Sequence, residues 1–283
     1  MLKTPTARLS EYSLSAGCGM IGHSLSLQNV TKRFGHLTAI DGISFDVRPR
    51  EFISVIGPSG CGKSTLFNII GGFLGGYEGT LLLDGKAKVP RRSIGMVFQE
   101  ESTFPWRTTL QNVAFPLEVA GVPKKEREAR ARELISLVGL TGFENSYPAE
   151  MSGGMRQRTA IARTLAFDPQ VLLMDEPFAA LDDQTRLLVG DKVLQIHQQL
   201  NQTSLLITHN ITEAVQLSDR VIVMTYRPGR VKRIVDIDLP RPRTSEIVGS
   251  ARFGALVGSI WNDLRKEASR GMSEAEQQGK RDA

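Results

Sequence analysis

This sequence has few cysteines, a small net charge and no long apolar runs. Its two cysteines, Cys18 and Cys61, are too few for a disulfide scaffold, and with four scattered histidines they give no metal-site spacing. The net charge is only +5, and the most charged segment, residues 124–130, mixes both signs as a solvated helix face does, so nothing favours nucleic acid as a partner. No apolar run approaches the ~18 residues that span a bilayer, so we expect the chain not to cross a membrane.

What is present is an ordinary globular composition, with 41% hydrophobic and 23% charged residues among 283. Between about 110 and 167 the pattern is helical, with Leu134, Ile135 and Val138 spaced for one buried face. Alternating or continuous apolar runs predict strands before and after this segment, at 25–27, 43–47, 52–56, 80–83, 94–98, 171–174, 205–207 and 221–224.

Apolar strands that alternate with helices predict an α/β fold. Within residues 24–240 we expect a core with a mixed or parallel sheet, an N-terminal antiparallel β subdomain and an inserted α-helical subdomain at about 100–167. Residues 1–23 lack a continuous apolar stretch, which predicts a flexible extension and not an export signal.

The C-terminal part divides into two segments. Residues 241–264 are expected to be a C-terminal extension with an amphipathic helix that packs on the core, with an interaction surface as the alternative. Residues 265–283 are polar and are expected to be a disordered tail. The apolar stripe of the helix consists of Phe253, Leu256, Val257, Ile260, Trp261 and Leu264.

A glycine-rich loop lies between the strand at 52–56 and a helix-like run at 66–70, which is the context of a phosphate-binding loop. Glycines let the backbone curl so that successive N–H groups form an anion nest at a helix N-terminus. The alternative, a chance glycine-rich turn, does not explain the flanking elements. We expect the loop to hold the triphosphate of a nucleotide with Gly57, Pro58, Ser59, Gly60, Cys61, Gly62, Lys63, Ser64 and Thr65.

Three residues of this loop have separate expected properties. Lys63 supplies a mobile cation for the β- and γ-phosphates, and the Ser64 hydroxyl can bind Mg²⁺. A disulfide from Cys61 to Cys18 would obstruct nucleotide binding, which favours a reducing cytoplasm. Many kinases and GTPases carry such a loop, so it does not by itself fix the reaction.

Two carboxylates follow the apolar strand at 171–174. Burial of this strand places Asp175 at its tip, where it can hold the Mg²⁺ shell. Glu176 would then lie beside the γ-phosphate, where it can orient or deprotonate the attacking water. The alternative, a pair of acids that caps the next turn, is disfavoured by the phosphate loop upstream.

Ser152-Gly153-Gly154 followed by Arg156-Gln157-Arg158 resembles the signature of ATP-binding cassette (ABC) proteins. In that family the signature opens a helix whose N-terminus faces the γ-phosphate held by a second copy. Exposed N–H groups, a serine hydroxyl and the helix dipole make such an anion site. The resemblance therefore implies that Ser152, Gly153 and Gly154 bind ATP held by a sister chain.

The resemblance covers about residues 24–240 and implies roles for four further residues. Gln99 resembles the glutamine that reaches Mg²⁺ and water and links to the membrane partner. Asp182 resembles the aspartate of the loop that crosses between the two copies. His209 resembles the histidine that senses the γ-phosphate. Phe34 resembles the aromatic that stacks on adenine, although a lone aromatic near a glycine is more often simply packed.

Two methionines depart from the family pattern and also indicate a branch. Met155 stands where the family has Gln, so the amide hydrogen bonds of that position are lost, and Met151 stands where Leu is common. The signature with Met155, residues 104–108 and residues 227–243 together resemble the nitrate, sulfonate and taurine import branch.

The resemblance implies an enzyme that hydrolyses ATP with Mg²⁺ on the cytoplasmic face of the cell membrane, with Lys63, Gln99, Glu176 and His209 as its catalytic residues. Its expected partners are a second copy of itself, permease subunits and, indirectly, a solute-binding protein; the solute stays open. Trp106 either contacts the permease or packs within the helical insert. The alternatives are a soluble ABC ATPase not coupled to transport, a small-molecule kinase and a non-catalytic module.

Overall fold

The structure is a computed structural model that describes residues 23–87, 89–90, 93–99 and 103–279, with the backbone alone at 245 and 272–279. Cys18 and all but the last residue of the predicted N-terminal extension lie outside the described residues. Within the described ranges the strands are β1 (Leu25–Phe34), β2 (Leu37–Val47), β3 (Phe52–Ile56), β4 (Glu78–Leu83), β5 (Ile94–Val97), β6 (Val171–Asp175), β7 (Thr203–Ile207), β8 (Arg220–Met224) and β9 (Val231–Asp236). The α-helices are α1 (Lys63–Ile70), α2 (Thr109–Val119), α3 (Lys124–Leu137), α4 (Gly153–Leu165), α5 (Asp183–Leu200), α6 (Ile211–Leu217) and α7 (Ala251–Gly279).

The strands form two sheets. β1 pairs antiparallel with β2 and β4 in the smaller sheet. The larger sheet has the order β5–β6–β7–β3–β8–β9, in which β9 runs antiparallel to β8 and the other pairs are parallel. This arrangement confirms the predicted α/β fold with a mixed sheet and an antiparallel β subdomain.

The central strands β3, β6 and β7 are buried along their whole length. Alternate residues of each strand belong to opposite faces of the sheet. Leu172 and Leu206 pack into a core with the helical segment, whereas Leu173 and Leu205 pack against α1 and the smaller sheet. Burial on both faces explains why these strands are continuously apolar.

Parallel pairing decides where the functional residues meet, because the carboxyl ends of parallel strands lie at one edge of a sheet. β3 leads into the loop at 57–62, and β5 is followed by Gln99. β6 ends at Asp175, and His209 comes shortly after the end of β7. The register pairs Asp175 with Ile207, so the ends of β6 and β7 are level.

The segment predicted to be helical contains α2, α3, a 3-10 turn at Pro148–Glu150 and α4. Leu134, Ile135 and Val138 are buried as predicted, because α3 packs against α2 and α4. The division of the chain into domains at the predicted boundaries stays a prediction. Among the helices that the structure describes, none combines the length and apolarity that crossing a bilayer requires.

The C-terminal helix α7 is longer than the sequence predicted. It continues to Gly279, through most of the segment that was expected to be a disordered tail. Phe253, Leu256 and Ile260 pack on the core as expected, whereas Trp261 is 56% exposed and does not belong to the packed face.

Glu267 provides the physical reason for the longer helix. Its buried carboxylate accepts hydrogen bonds from Lys232 Nζ (2.7 Å) and from the backbone N–H of Tyr226 (3.1 Å). Burial opposes ionisation of this carboxyl, but the two hydrogen bonds and the Lys232 charge outweigh it and lower the Glu267 pKa. A lone glutamate in a polar sequence gives no sign of a partner that lies so far away along the chain.

Glu267→Ala should lower the free energy of unfolding by about 2 kcal/mol, because Lys232 and the Tyr226 N–H then lose their buried acceptor. Urea unfolding measures the change. Lys266→Ala, at an exposed position of the same helix, is the control and should change stability by less than about 0.5 kcal/mol. Equal losses in the two variants would contradict the assignment.

Candidate nucleotide-binding site

The loop between β3 and α1 has the backbone shape of an anion nest. Gly60 and Gly62 adopt left-handed conformations, with φ of 75° and 95°. A Cβ at Gly62 would lie 2.6 Å from Ile40 Cγ2 and 2.8 Å from the Ala39 carbonyl, so glycine is required there. The first N–H groups of α1 have no intrahelical acceptor and therefore face the loop opening.

Lys63 lies folded over this loop. Its Nζ donates to the carbonyls of Gly57 (2.8 Å) and Pro58 (3.1 Å) and is largely buried. These neutral acceptors hold the ammonium group above the nest, where a phosphate would form stronger, charge-assisted bonds with it. Lys63 is thus positioned to exchange carbonyl partners for phosphate oxygens.

Asp175 is a buried carboxylate with an unused oxygen. It accepts a hydrogen bond from the Ser64 hydroxyl, while its Oδ1 has no hydrogen-bond partner among the described residues. Burial, together with the neighbouring Glu176 charge, raises the pKa of Asp175 despite the Ser64 hydrogen bond and the Lys63 charge. A cation beside Ser64 and Asp175 would satisfy the orphaned oxygen, so these residues fit Mg²⁺.

Glu176 lies at the centre of a polar cluster. Its Oε2 is 3.1 Å from His209 Nδ1 and 3.4 Å from Gln99 Nε2. Its backbone N–H donates to the Ile207 carbonyl (2.9 Å), and its φ of 45° turns the side chain away from the direction of Asp175. The structure therefore brings together three of the four residues predicted to be catalytic, which we call the Gln99–Glu176–His209 cluster.

A groove of about 370 Å³ opens beside the loop. Phe34 is 46% exposed on its wall, and Lys32 Nζ lies 5.1 Å from the ring centroid. A half-open aromatic face of this kind can stack on a purine base. The rest of the wall consists of Leu37, Ala39, Ser59, Gly60, Gly62, Lys63, Ser64, Thr65, Glu176 and Arg227.

Arg227 belongs to this groove but was not predicted as a site residue. Its Nε donates to the Gly60 carbonyl (3.2 Å). The turn that carries it is fixed by Gly229, whose N–H donates to the Ala39 carbonyl (3.0 Å) and whose own carbonyl accepts from the Asp41 N–H (2.9 Å). The sequence of this turn contains no phosphate-binding or magnesium-binding motif. The position of Arg227 beside the loop follows only from the hydrogen bonds between Gly229 and β2, which the structure shows.

The predicted signature lies on a helix N-terminus apart from this groove. Ser152 is the N-cap of α4, and its Oγ accepts from the Met155 N–H (3.3 Å). Asp182 caps α5 in the same way, accepting from the Thr185 N–H (2.9 Å), and these bonds lower its pKa. Among the described residues, Ser152, Gly153, Gly154 and Asp182 are not part of the groove wall.

Known proteins are similar to this chain in sequence and in fold. The family model described as ABC transporter matches residues 40–179. An uncharacterised ABC transporter ATP-binding protein of Methanocaldococcus jannaschii is 53% identical over 244 residues, which are 84% of this chain and 91% of that protein. The chain belongs to the ABC transporter family. It is an ATP-binding cassette, and as such an ATPase.

Two further relatives of this cassette have names that state a solute. A taurine import ATP-binding protein of Rhizobium johnstonii is 48% identical over 211 residues, covering 74% of this chain and 80% of that protein. An aliphatic sulfonates import ATP-binding protein of Bacillus cereus is 42% identical over 226 residues, covering 78% of this chain and 89% of that protein. Both relatives are named as import ATP-binding proteins.

Solved structures agree with the fold. A dimeric ATP-binding cassette in a post-hydrolysis state, bound to ADP and phosphate, superposes with a TM-score of 0.66 at 33% identity, covering 76% of this chain and 100% of that one. The cbiO1 protein of Clostridium perfringens, part of the ABC transporter complex cbiONQ, gives a TM-score of 0.70 at 27% identity, covering 75% and 88%.

Asp175→Asn should raise the melting temperature of the nucleotide-free cassette by roughly 2 °C or more, because it removes a desolvated charge while Asn can still accept from Ser64. The folded pKa of Asp175 lies above its unfolded value, so the ionised carboxylate destabilises the fold at neutral pH and this penalty shrinks as the pH falls. Calorimetry from pH 8 downward should show the gap narrowing as the pH approaches the raised pKa of Asp175. An unchanged or lower melting temperature at pH 8 would contradict the penalty.

Proposed function

We propose that this cassette hydrolyses ATP as a head-to-tail pair and thereby powers the import of a small anion or an organic nitrogen or sulfur compound. The observation that carries the proposal is the separation of the predicted ATP contacts. The phosphate loop and the Gln99–Glu176–His209 cluster meet at one sheet edge, whereas Ser152 and Asp182 lie on helix N-termini outside the groove.

This separation supports a pair of copies. The Ser152 N-cap and the first N–H groups of α4 form an anion site that the groove of the same chain does not use. In the proposed pair, the nucleotide lies between the loop of one chain and Ser152–Gly154 of the other, with Asp182 at the crossing between them. Without its partner the γ-phosphate lacks half of its donors, so hydrolysis is slow in the separate chain.

In each half-site the nucleotide is held along its whole length. Phe34 stacks on adenine, and the loop residues Gly57–Thr65 hold the phosphates, with Lys63 at the β- and γ-phosphates. Ser64, Gln99 and Asp175 would hold Mg²⁺, which neutralises phosphate charge when bound.

The Gln99–Glu176–His209 cluster performs the hydrolytic step in this proposal. The Glu176 carboxylate orients the attacking water and accepts its proton. His209 is 61% exposed and bonded to the same carboxylate oxygen, so it can approach the γ-phosphate while it holds Glu176 in place. Closing of the pair excludes bulk water and strengthens these contacts.

Import is supported by the named functions of the taurine and sulfonate relatives. We propose that the cassette acts on the cytoplasmic face of the cell membrane, attached to permease subunits that receive solute from an external solute-binding protein. The groove and loop contact nucleotide and not solute, so the choice among nitrate, a sulfonate, taurine or a similar compound belongs to the permease and the binding protein.

A second groove, of about 450 Å³, favours the permease contact over internal packing for Trp106. The indole is 71% exposed, and its centroid lies 5.7 Å from that of Phe104. An exposed tryptophan beside paired charges is typical of a protein-docking surface. The groove is lined by Trp106, Arg107, Leu110, Gln111, Ala114, Glu118, Lys124, Arg127 and Glu128.

Glu176→Gln should lower the ATPase kcat about a hundredfold or more, because the amide cannot accept the proton. ATP binding should persist, so the variant should accumulate as an ATP-bound dimer in size-exclusion chromatography. Glu133→Gln, on the exposed surface of α3, is the control and should behave as the wild type. Near-native phosphate release by Glu176→Gln would refute the proposed role.

The Glu176→Gln variant also allows a test of the proposed head-to-tail pair of chains. Adding Ser152→Arg to Glu176→Gln should abolish the ATP-dependent dimer while each chain still binds ATP, because the arginine side chain blocks the N-terminus of α4. A dimer that forms equally well with Arg at this position would exclude the proposed sandwich.

Trp106→Glu should abolish uptake in cells while the ATPase kcat of the free cassette stays within about twofold of the wild type, because the groove lies outside the nucleotide site. A strain lacking this chain, tested for growth on nitrate, sulfonates and taurine, identifies the solute and serves as the host. Trp261→Glu is the matched control, an exposed tryptophan on α7 that should preserve uptake. Normal growth with Trp106→Glu would contradict docking through this groove.

A further inference from the structure

A buried polar chain connects the loop that carries Asp182 with the turn that carries His209. Arg186 on α5 donates from Nη2 to the Leu181 carbonyl (2.8 Å) and from Nε to the Phe178 carbonyl (3.4 Å). The same Nε lies 3.2 Å from Oε1 of Glu213 on α6. Arg186 therefore binds the segment before Asp182 and also contacts helix α6.

Glu213 continues the chain to Thr208. The glutamate is 7% exposed, and its Oε2 accepts from the Thr208 hydroxyl at 2.5 Å. Burial raises the pKa of this carboxyl against the opposing Thr208 hydrogen bond and the Arg186 and His209 charges. Burying this acid costs free energy, which its bonds to Arg186 and Thr208 offset in part.

Thr208 fixes the backbone on both sides of His209. Its hydroxyl accepts from the Asn210 N–H (2.9 Å), while its own N–H donates to the Val55 carbonyl of β3 (3.4 Å). The Asn210 side chain in turn caps α6 by accepting from the Glu213 N–H (3.2 Å). Because the His209 ring is exposed, its direction depends on this turn more than on packing around the ring.

We infer that Arg186, Glu213 and Thr208 are positioning residues that couple the loop before Asp182 to His209. Binding of the sister subunit at this loop would then fix the orientation of the His209 ring for hydrolysis. The inference rests on the roles proposed above for Asp182, Glu176 and His209. Arg186 also donates from Nη1 to the exposed Asp183 Oδ1 (2.8 Å), so it is bonded on both sides of Asp182. A shift of Leu181 therefore changes the acceptors of an arginine that also contacts the buried Glu213.

The first test removes one hydroxyl. Thr208→Val should lower kcat about tenfold, because the His209 turn loses both of its hydroxyl bonds, while the KM and the affinity for a fluorescent ATP analogue stay within about twofold. Thr208→Ser keeps the hydroxyl and should restore kcat to within about twofold of the wild type.

Thr203→Val is the matched control, because Thr203 lies at the other end of β7. Its hydroxyl also makes two hydrogen bonds, to the His23 carbonyl (2.6 Å) and from the Arg50 N–H (2.9 Å). This variant should lose stability in a melting experiment and keep kcat. Equal losses of kcat in Thr203→Val and Thr208→Val would show a general stability effect and overturn the inference.

A double-mutant cycle tests the coupling. Arg186→Gln and Thr208→Val should each lower kcat about tenfold, and the double variant should be no worse than either, because both break one chain. A multiplicative loss of about a hundredfold would show independent sites and overturn the coupling. Should Arg186→Gln fail to fold, Glu213→Gln, which still accepts from Thr208, takes its place in the cycle.

Glu176→Gln is assayed beside these variants to separate this inference from the proposed function. Loss of turnover in Glu176→Gln with unchanged turnover in Thr208→Val would reject the coupling alone. Full turnover in Glu176→Gln would reject the catalytic assignment itself and, with it, the coupling that rests on that assignment.

Discussion

Parallel pairing of β7 with both β3 and β6 is the constraint on which the site depends. The register that aligns Asp175 with Ile207, and Ile207 with Val55, also decides which side chains of each strand enter which core. A shift of the β6 pairing register by one residue would move each of its side chains to the opposite face of the sheet. The packing that stabilises the fold therefore also fixes the positions of Asp175 and Glu176.

Adjacent acids at the end of β6 have different surroundings because the backbone changes direction between them. Asp175 is still part of the strand and faces Ser64 and the loop. Glu176 has a left-handed φ of 45°, which costs an L-residue roughly 1 kcal/mol, and its N–H is bound by the Ile207 carbonyl. The turn separates a residue suited to a cation from one suited to a water molecule.

Local patterns predicted the phosphate loop, the central strands and the carboxylates after β6, because each depends on residues close together in the chain. The resemblance to a family supplied Gln99 and His209, whose contact with Glu176 the structure shows. Sequence patterns missed Arg227 and the Glu267–Lys232 pair, since their partners lie far away along the chain. Trp261 fitted the apolar period of α7, but it lies at the edge of the stripe, where the core no longer covers it.

Several polar groups of the separate chain have poorer partners than they could have. Lys63 binds neutral carbonyls, Asp175 Oδ1 has no hydrogen-bond partner among the described residues, and the N-termini of α4 and α5 are capped by their own Ser152 and Asp182. Each of these groups gains free energy from a phosphate, a cation or a second chain, because charge-assisted bonds are stronger than the ones they replace. Since the phosphate loop and the N-terminus of α4 lie on different surfaces, one nucleotide reaches both only in the proposed pair of chains. In the proposed pair, the drive to associate therefore lies in the incomplete bonding of the single chain, and it ends when hydrolysis removes the shared phosphate.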